Sequence, residues 1–328
     1  MRNLICIVAL LTLGANAFGD DLVISPLAPY ANSPYPYLNS TDAQTFNDMT
    51  VTIQDGGSLY AGNLAVASAW SGQPVSEVII NGDGSYLKAT GTCYFGQGGT
   101  GTLTVNGGTV DFVGIGYVGR LYNDFGAGYL NINGGVFNAT STVNVGYSGA
   151  SGEIRQTGGT ANFGGYVYLF AGTSYTMSGG TLQAASQYLE LSDGASFNVD
   201  GANATINAYS YRMNSGATTS FDIDATGIST INVAGQLRLY AGSLIDITLD
   251  GFTPTDGQIF TLFNAAGYVI YQDPQLTAAS QYIEGVQSGF TLNRDGGVVT
   301  ATYNAVPEPA TMALLGFGLV GLVLRKRR

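Results

Sequence analysis

The feature that most constrains this chain is a unit repeated through its middle, Gly-x-Φ-x-Φ-x-Gly-Gly-x-Φ, with Φ apolar. It stands as Gly101-Thr-Leu-Thr-Val-Asn-Gly107-Gly-Thr-Val and again as Gly128-Tyr-Leu-Asn-Ile-Asn-Gly134-Gly-Val-Phe. Looser copies read Gly152-Glu-Ile-Arg-Gln-Thr-Gly158-Gly-Thr-Ala and Thr173-Ser-Tyr-Thr-Met-Ser-Gly179-Gly-Thr-Leu, and fainter ones centre on Gly82 and Gly201. The centres at 82, 107, 134, 158, 179 and 201 lie 25, 27, 24, 21 and 22 residues apart. Within each unit apolar and polar residues alternate at period two, the pattern of a half-buried strand. Between units sits a further short strand, as in Thr142-Val-Asn-Val, Tyr166-Val-Tyr-Leu, Tyr188-Leu-Glu-Leu and Gln236-Leu-Arg-Leu.

A coil of three short strands with glycine-rich corners cannot bury a core alone, so it must stack on its neighbours. The expected fold is all-β, a parallel β-solenoid (β-helix) of about seven or eight rungs. At roughly 4.8 Å per rung the rod is about 35 Å long. Gly107, Gly134, Gly158 and Gly179 should then superpose at one corner. Leu103, Leu130, Ile154 and Tyr175 should line one interior column.

The flanks differ from the repeats. Residues 1–17 read as a secretory signal peptide: Arg2, the apolar run Leu4–Leu13, then Ala15-Asn16-Ala17 as a small-x-small cleavage site. Residues 18–48, with Pro26, Pro29, Pro34 and Pro36 among Tyr, Asn and Ser, form a leader or cap. The solenoid is placed at 49–251 and a C-terminal β cap at 252–304, where the glycine period is lost. Residues 305–328 hold Pro307-Glu308-Pro309, then an uncharged apolar run Ala310–Leu324, then Arg325-Lys326-Arg327-Arg328. That run suits a short transmembrane helix, with the basic tetrad cytoplasmic and the body outside the cytoplasm.

Composition removes several function classes. The 328 residues include 48 glycines and no histidine, so triads, general bases and metal sites built on imidazole are excluded. Hydrophobic residues make up 45% of the chain, which excludes charge-driven disorder. Setting aside Arg2 and the final tetrad leaves 11 − 5 = 6 basic residues in the body, in a chain of net charge −11. Such a body repels nucleic acid and anionic lipid. Cys6 leaves with the signal, so Cys93 alone remains and no internal disulfide forms.

The chemical motifs are weak. Gly114-Ile-Gly116-Tyr-Val-Gly119 matches a dinucleotide fingerprint, but Arg120-Leu-Tyr-Asn-Asp-Phe-Gly after it is no helix, so these glycines read as a corner. Asp222 and Asp224 flank Ile223 and would share one strand face, as would Asp246 and Asp250. Paired carboxylates serve glycoside hydrolysis or calcium binding, but on an acidic protein they also make an ordinary solvated face. Gly98-Gly99-Thr100-Gly101-Thr102 has threonine where a calcium-binding nonapeptide needs aspartate, and Cys93 without histidine reads as a small buried hydrophobe. No catalytic, cofactor or metal residue is assigned. Tyr166, Tyr168, Tyr175 and Tyr188 lie close in sequence, either as good strand formers or as a row for stacking on sugar rings.

The ordered Pro-Glu-Pro, apolar run and basic cluster at 305–328 resemble the PEP-CTERM sorting signal. That resemblance implies Pro307, Glu308, Pro309, Arg325, Lys326, Arg327 and Arg328 as the sorting motif. It implies export machinery and an exosortase as partners, with transient residence in the inner membrane. Delivery is then to the surface or matrix of an exopolysaccharide-producing Gram-negative bacterium. Asn144-Val-Gly146-Tyr-Ser-Gly149-Ala-Ser-Gly152-Glu-Ile-Arg-Gln-Thr-Gly158-Gly is similar to repeats shared by autotransporter passenger domains and PEP-CTERM proteins. The expected function is that of a surface- or matrix-associated structural or adhesive protein in contact with exopolysaccharide and biofilm, not an enzyme. The alternatives are a polysaccharide lyase or glycosidase and a carbohydrate-binding module on a β-helix.

Overall fold

A computed structural model describes residues 43–68, 72–122, 124–267 and 290–304, and also the short strands Ala17–Phe18, Leu22–Ile24, Tyr37–Asn39 and Val269–Tyr271. Its regular elements are all β-strands, and none of its helices is long and apolar enough to cross a membrane, because the described residues contain none. The expected signal peptide (but for Ala17) and C-terminal transmembrane helix lie outside the described residues.

The strands form a parallel β-solenoid of about eight regular turns. Each turn contributes one strand to each of three faces. The first face is a sheet of ten parallel strands, from Leu22–Ile24 through Thr100–Val105 and Ala127–Ile132 to Leu244–Leu249. The second stacks Tyr86–Ala89, Thr109–Phe112, Val136–Ala139 and Thr160–Phe163 in register, and the third stacks Leu64–Ser68, Cys93–Gln97, Gly116–Arg120 and Val143–Tyr147. Gly180–Leu191 and Ala204–Met213 are long strands that run across both the second and third faces.

Equivalent positions superpose as the repeat requires. Leu103, Leu130, Ile154 and Tyr175 are direct partners on successive rungs, each at most 1% exposed. Strand after strand alternates buried and half-buried residues, so the apolar member of each pair points inward and water meets the polar one. Phe112, Phe137, Phe163, Tyr175 and Phe197 pack ring against ring along the interior, with centroids 5.2–6.4 Å apart. The core thus grows by one layer per turn.

Two polar pairs interrupt this core. Gln156 takes the inward position held by Ile132 below and Met177 above. It is fully buried, accepts the Tyr175 hydroxyl at 2.6 Å, and donates to the Thr181 carbonyl at 2.9 Å. Tyr211 and Thr219 share a hydroxyl–hydroxyl bond of 2.7 Å in the same way. Each interior polar atom has found a partner, which is the condition for tolerating it there.

The glycines act by two mechanisms. In each Gly-Gly pair the second residue has a left-handed backbone, with φ of 69° at Gly108, 63° at Gly135, 61° at Gly159 and 77° at Gly180. The first is held by crowding: a Cβ on Gly134, Gly158 or Gly179 would press on the carbonyl oxygen of Asn106, Asn133 or Thr157 in the rung below. A second stack of left-handed residues bends the third face at Ala67, Gly96, Gly119 and Gly146. Ala67 is the exception that carries a side chain there, with φ of 55°.

Parallel stacking continues past residue 252, since Ile231 pairs with Phe263 and Leu237 with Val269. The regular pairing then ends in an antiparallel hairpin, Phe290–Asp295 and Val298–Tyr303, whose second strand pairs antiparallel with Ile259–Ala265. A reversed strand covers the sheet edge that another copy would otherwise extend.

The two glycine mechanisms predict unequal mutational costs. Gly119→Ala places a Cβ into the Ser151 carbonyl oxygen at a φ of 79° and should cost about 3–5 kcal/mol. Gly149→Ala, at a φ of 89° but facing open space, should cost about 1 kcal/mol. Chemical denaturation of both variants measures the difference. Equal costs would show that rung contact is not what selects glycine at 119. In the core, Tyr175→Phe strands the Gln156 oxygen and should cost about 1–3 kcal/mol, read in the same experiment.

Candidate functional site

The outer surface of the third face gathers a row of outward-facing tyrosine rings and half of the body cations. Because rungs superpose, outward positions form rows: Tyr94, Tyr117, Asn144, Tyr168, Glu190, Arg212 and Arg238 lie one above another. Beside them run Gln97, Arg120 and Tyr147. Tyr94 and Tyr117 stack at 5.3 Å and 8°, Tyr166 and Tyr168 at 5.2 Å and 9°, and Tyr166 and Tyr188 at 6.0 Å and 13°.

Three arginines lie against these rings. The Arg120 guanidinium sits 5.2 Å from the Tyr94 centroid, 5.0 Å from Tyr117 and 5.9 Å from Tyr147, and donates to the Tyr94 hydroxyl at 3.0 Å. Arg212 is 4.6 Å from the Tyr188 centroid and Arg238 is 5.4 Å from it. Such contacts are worth about 0.5–2 kcal/mol each. They also cover ring faces, so a sugar arriving here meets hydroxyls and guanidinium edges in place of bare rings.

Of the four tyrosines marked in the sequence, the fold brings Tyr166, Tyr168 and Tyr188 together on this face. Tyr175 is not with them: it points inward and is fully buried. Its place in the strand alternation, equivalent to Leu103, already assigned it to the core. Arg212 and Arg238 were missed because they are 26 residues apart in sequence (238 − 212) and meet each other and Tyr188 only through rung stacking. The available signal was their outward strand position, next to inward Tyr211 and Leu237.

The paired aspartates do not share a strand face. The strand Thr218–Ile223 ends before Asp224, which turns back on itself. Asp224 accepts the Thr226 amide at 2.7 Å, the Thr226 hydroxyl at 2.6 Å and the Gly227 amide at 3.1 Å, and these bonds hold its carboxyl below the usual range. Asp222 stays on the first face and accepts the Thr248 hydroxyl at 2.8 Å. Asp246 is likewise on that face, while Asp250 follows the end of its strand, Leu244–Leu249. Among the described residues no three His, Cys, Asp or Glu side chains converge on a point able to hold a metal ion.

The remaining motifs resolve into structure. Gly116 opens a strand, Gly119 supplies the left-handed bend, and the next regular element is again a strand, Ala127–Ile132. Cys93 is buried between Leu64 and Gly116, and burial pushes its thiol far above the ordinary range, away from the reactive thiolate.

What the described residues do not supply comes from comparison with protein families. Residues 305–328 match the PEP-CTERM protein-sorting motif. The chain carries a PEP-CTERM sorting signal. The match spans Pro307, Glu308, Pro309 and Arg325 to Arg328, all outside the described residues. A PEP-CTERM signal implies an exported protein, processed by an exosortase and sorted to the cell envelope or surface. No curated protein matches the chain.

The acidic corner gives a pH-dependent prediction. Burial first, then the charges of Asp222, Asp224 and Asp250, raise the Asp200 carboxyl above its ordinary range. A carboxyl raised in the folded state is a stability cost at neutral pH, and the cost disappears as pH falls through its folded titration. Asp200→Asn should therefore raise the melting temperature at pH 7 and leave it unchanged near pH 3. Thermal unfolding of both proteins across that range checks it; an equal effect at both pH values would remove charge as the cause.

Proposed function

We propose that this protein is a structural or adhesive component of the cell surface or extracellular matrix, a rigid β-solenoid rod delivered through its PEP-CTERM signal and released from the inner membrane by an exosortase. The observation that carries the reading is the sorting motif at 305–328 on a chain whose body is a parallel solenoid. A stack of about eight turns is stiff, and presents side chains in straight rows suited to extended partners such as exopolysaccharide.

A non-catalytic role is supported by how the acids are used. Asp222 and Asp224, the pair that suggested glycoside hydrolysis, are bonded to Thr248 and to Thr226 with Gly227. A shallow cavity of about 190 Å³ is lined by Asn207, Asn232, Asn264, Ala208, Val233, Ala234 and Ala266, with no titratable side chain. A polysaccharide lyase or glycosidase needs an acid and a base converging on one cleft.

Deleting Arg325–Arg328 tests the delivery mechanism. The truncated protein should be exported yet remain unprocessed or be lost to the medium, seen by immunoblotting of membrane, surface and medium fractions. Identical maturation and localisation of truncated and full-length protein would overturn the sorting role of the tetrad.

A further inference from the structure

We infer that Arg212 and Arg238 form a binding site for the carboxylates of an acidic polysaccharide lying along the third face. The inference rests on the reading of the protein as an exported matrix component and names the chemistry it contacts. Arg212 and Arg238 are direct partners on adjacent rungs, about 4.8 Å apart along the rod. Both guanidinium groups converge on one ring, Tyr188, and Arg212 also lies 6.0 Å from Tyr240. Like charges this close repel, and an anion placed between them relieves the repulsion.

The balance within the chain is incomplete. Glu190, on the rung next to Arg212, pairs with it at 3.1 Å and also accepts Asn214. Arg238 donates its Nε, at 2.9 Å, and its Nη2 to the neutral Gln236 amide oxygen, leaving its other Nη to face outward partners. Among the described residues no carboxylate pairs with Arg238, and the buried Nε of Arg212 has no acceptor. One of two adjacent cations therefore has a carboxylate and the other has none among the described residues, in a chain whose net charge is −11. A surplus of positive charge on an otherwise acidic body is a local anion site, and the planar guanidinium fork fits a carboxylate in particular.

The same face says why the ligand is an extended polymer of sugar acids. Arg120, held by Tyr94, Tyr117 and Tyr147 and with no carboxylate partner among the described residues, is a second cation four rungs below Arg212. Four rungs are about 19 Å. A single-stranded nucleic acid carries an anion about every 3.4 Å and needs cations at matching density. Cations about 19 Å apart along the rod, separated by the hydroxyls of Tyr147, Tyr166 and Tyr168, match a hydroxyl-rich chain with carboxylates at intervals.

Titration calorimetry on the full-length protein in detergent tests this, with polygalacturonate oligomers, their fully methyl-esterified form and free galacturonate as probes. The acidic oligomer should bind, more weakly as salt is added. Arg238→Gln should weaken it at least tenfold, Arg238→Lys should fall between, and Lys88→Gln on the second face should match the parent protein. Circular dichroism establishes that each variant keeps its β-structure. If Arg238→Gln fails to fold, Arg238→Lys and the ester comparison on the parent protein decide. The inference is overturned if the acidic oligomer does not bind, if the ester binds as tightly, if free galacturonate binds as tightly as the oligomer, or if Arg238→Gln keeps full affinity. Surface display is followed separately: loss of binding with display intact removes this site and leaves the exported-rod function standing.

Discussion

Everything in this molecule depends on parallel hydrogen bonding between rungs. Each strand both donates to and accepts from the rungs on its two sides, because successive residues turn their N–H and C=O to opposite neighbours, so successive turns are locked about 4.8 Å apart wherever the chain is in strand. Turns of unequal length, from 21 to 27 residues between repeat centres, are accommodated at the corners because the strands cannot give. That is why the corners are crowded. The backbone of one rung lies directly on the next, and Gly134, Gly158 and Gly179 have no room for a Cβ above Asn106, Asn133 and Thr157.

Stacking also dictates how side chains solve their own problems. A residue pointing outward meets its equivalent on the next rung, so the surface is built from rows of like residues. Asn81, Asn106 and Asn133 pass a hydrogen bond from amide to amide at 2.9 Å, and Thr157 continues the row at 3.0 Å. Asp111, Asn138 and Asn162 form a second such row on another face. Tyrosines in the same geometry stack on each other. Like charges in the same geometry repel, as Arg212 does Arg238 and Asp200 does Asp222 on adjacent rungs.

The sorting signal and the rod divide the functional work. The motif at 305–328 decides where the protein goes, and its chemistry is carried by a short linear segment. The rod decides what is displayed there. Its interior is largely apolar among the described residues, with polar side chains such as the Gln156–Tyr175 and Tyr211–Thr219 pairs held by hydrogen bonds. Outward rows are where side chains of neighbouring rungs meet the surroundings.

Much of this was legible in the residues alone. Period-two alternation with Gly-Gly corners every 21–27 residues identifies a stacked β coil, and the alternation separates inward Leu103, Leu130, Ile154 and Tyr175 from their polar neighbours. The reason is local: alternation follows from pleating, and left-handed corners demand glycine whatever lies nearby. The Pro-Glu-Pro, apolar and basic segments were legible for the same reason, as a signal read in linear order. The tertiary structure alone decided the rest. It carried the parallel stacking past residue 251 into Ile259–Ala265, where the glycine pattern has faded, because rung bonding needs backbone and not particular residues. It separated Asp224 from Asp222, because a strand ends where its hydrogen-bond partner does. And it placed Arg212 against Arg238 and both over Tyr188, since which residues of distant turns meet is fixed by rung register, a sum of every corner length before them.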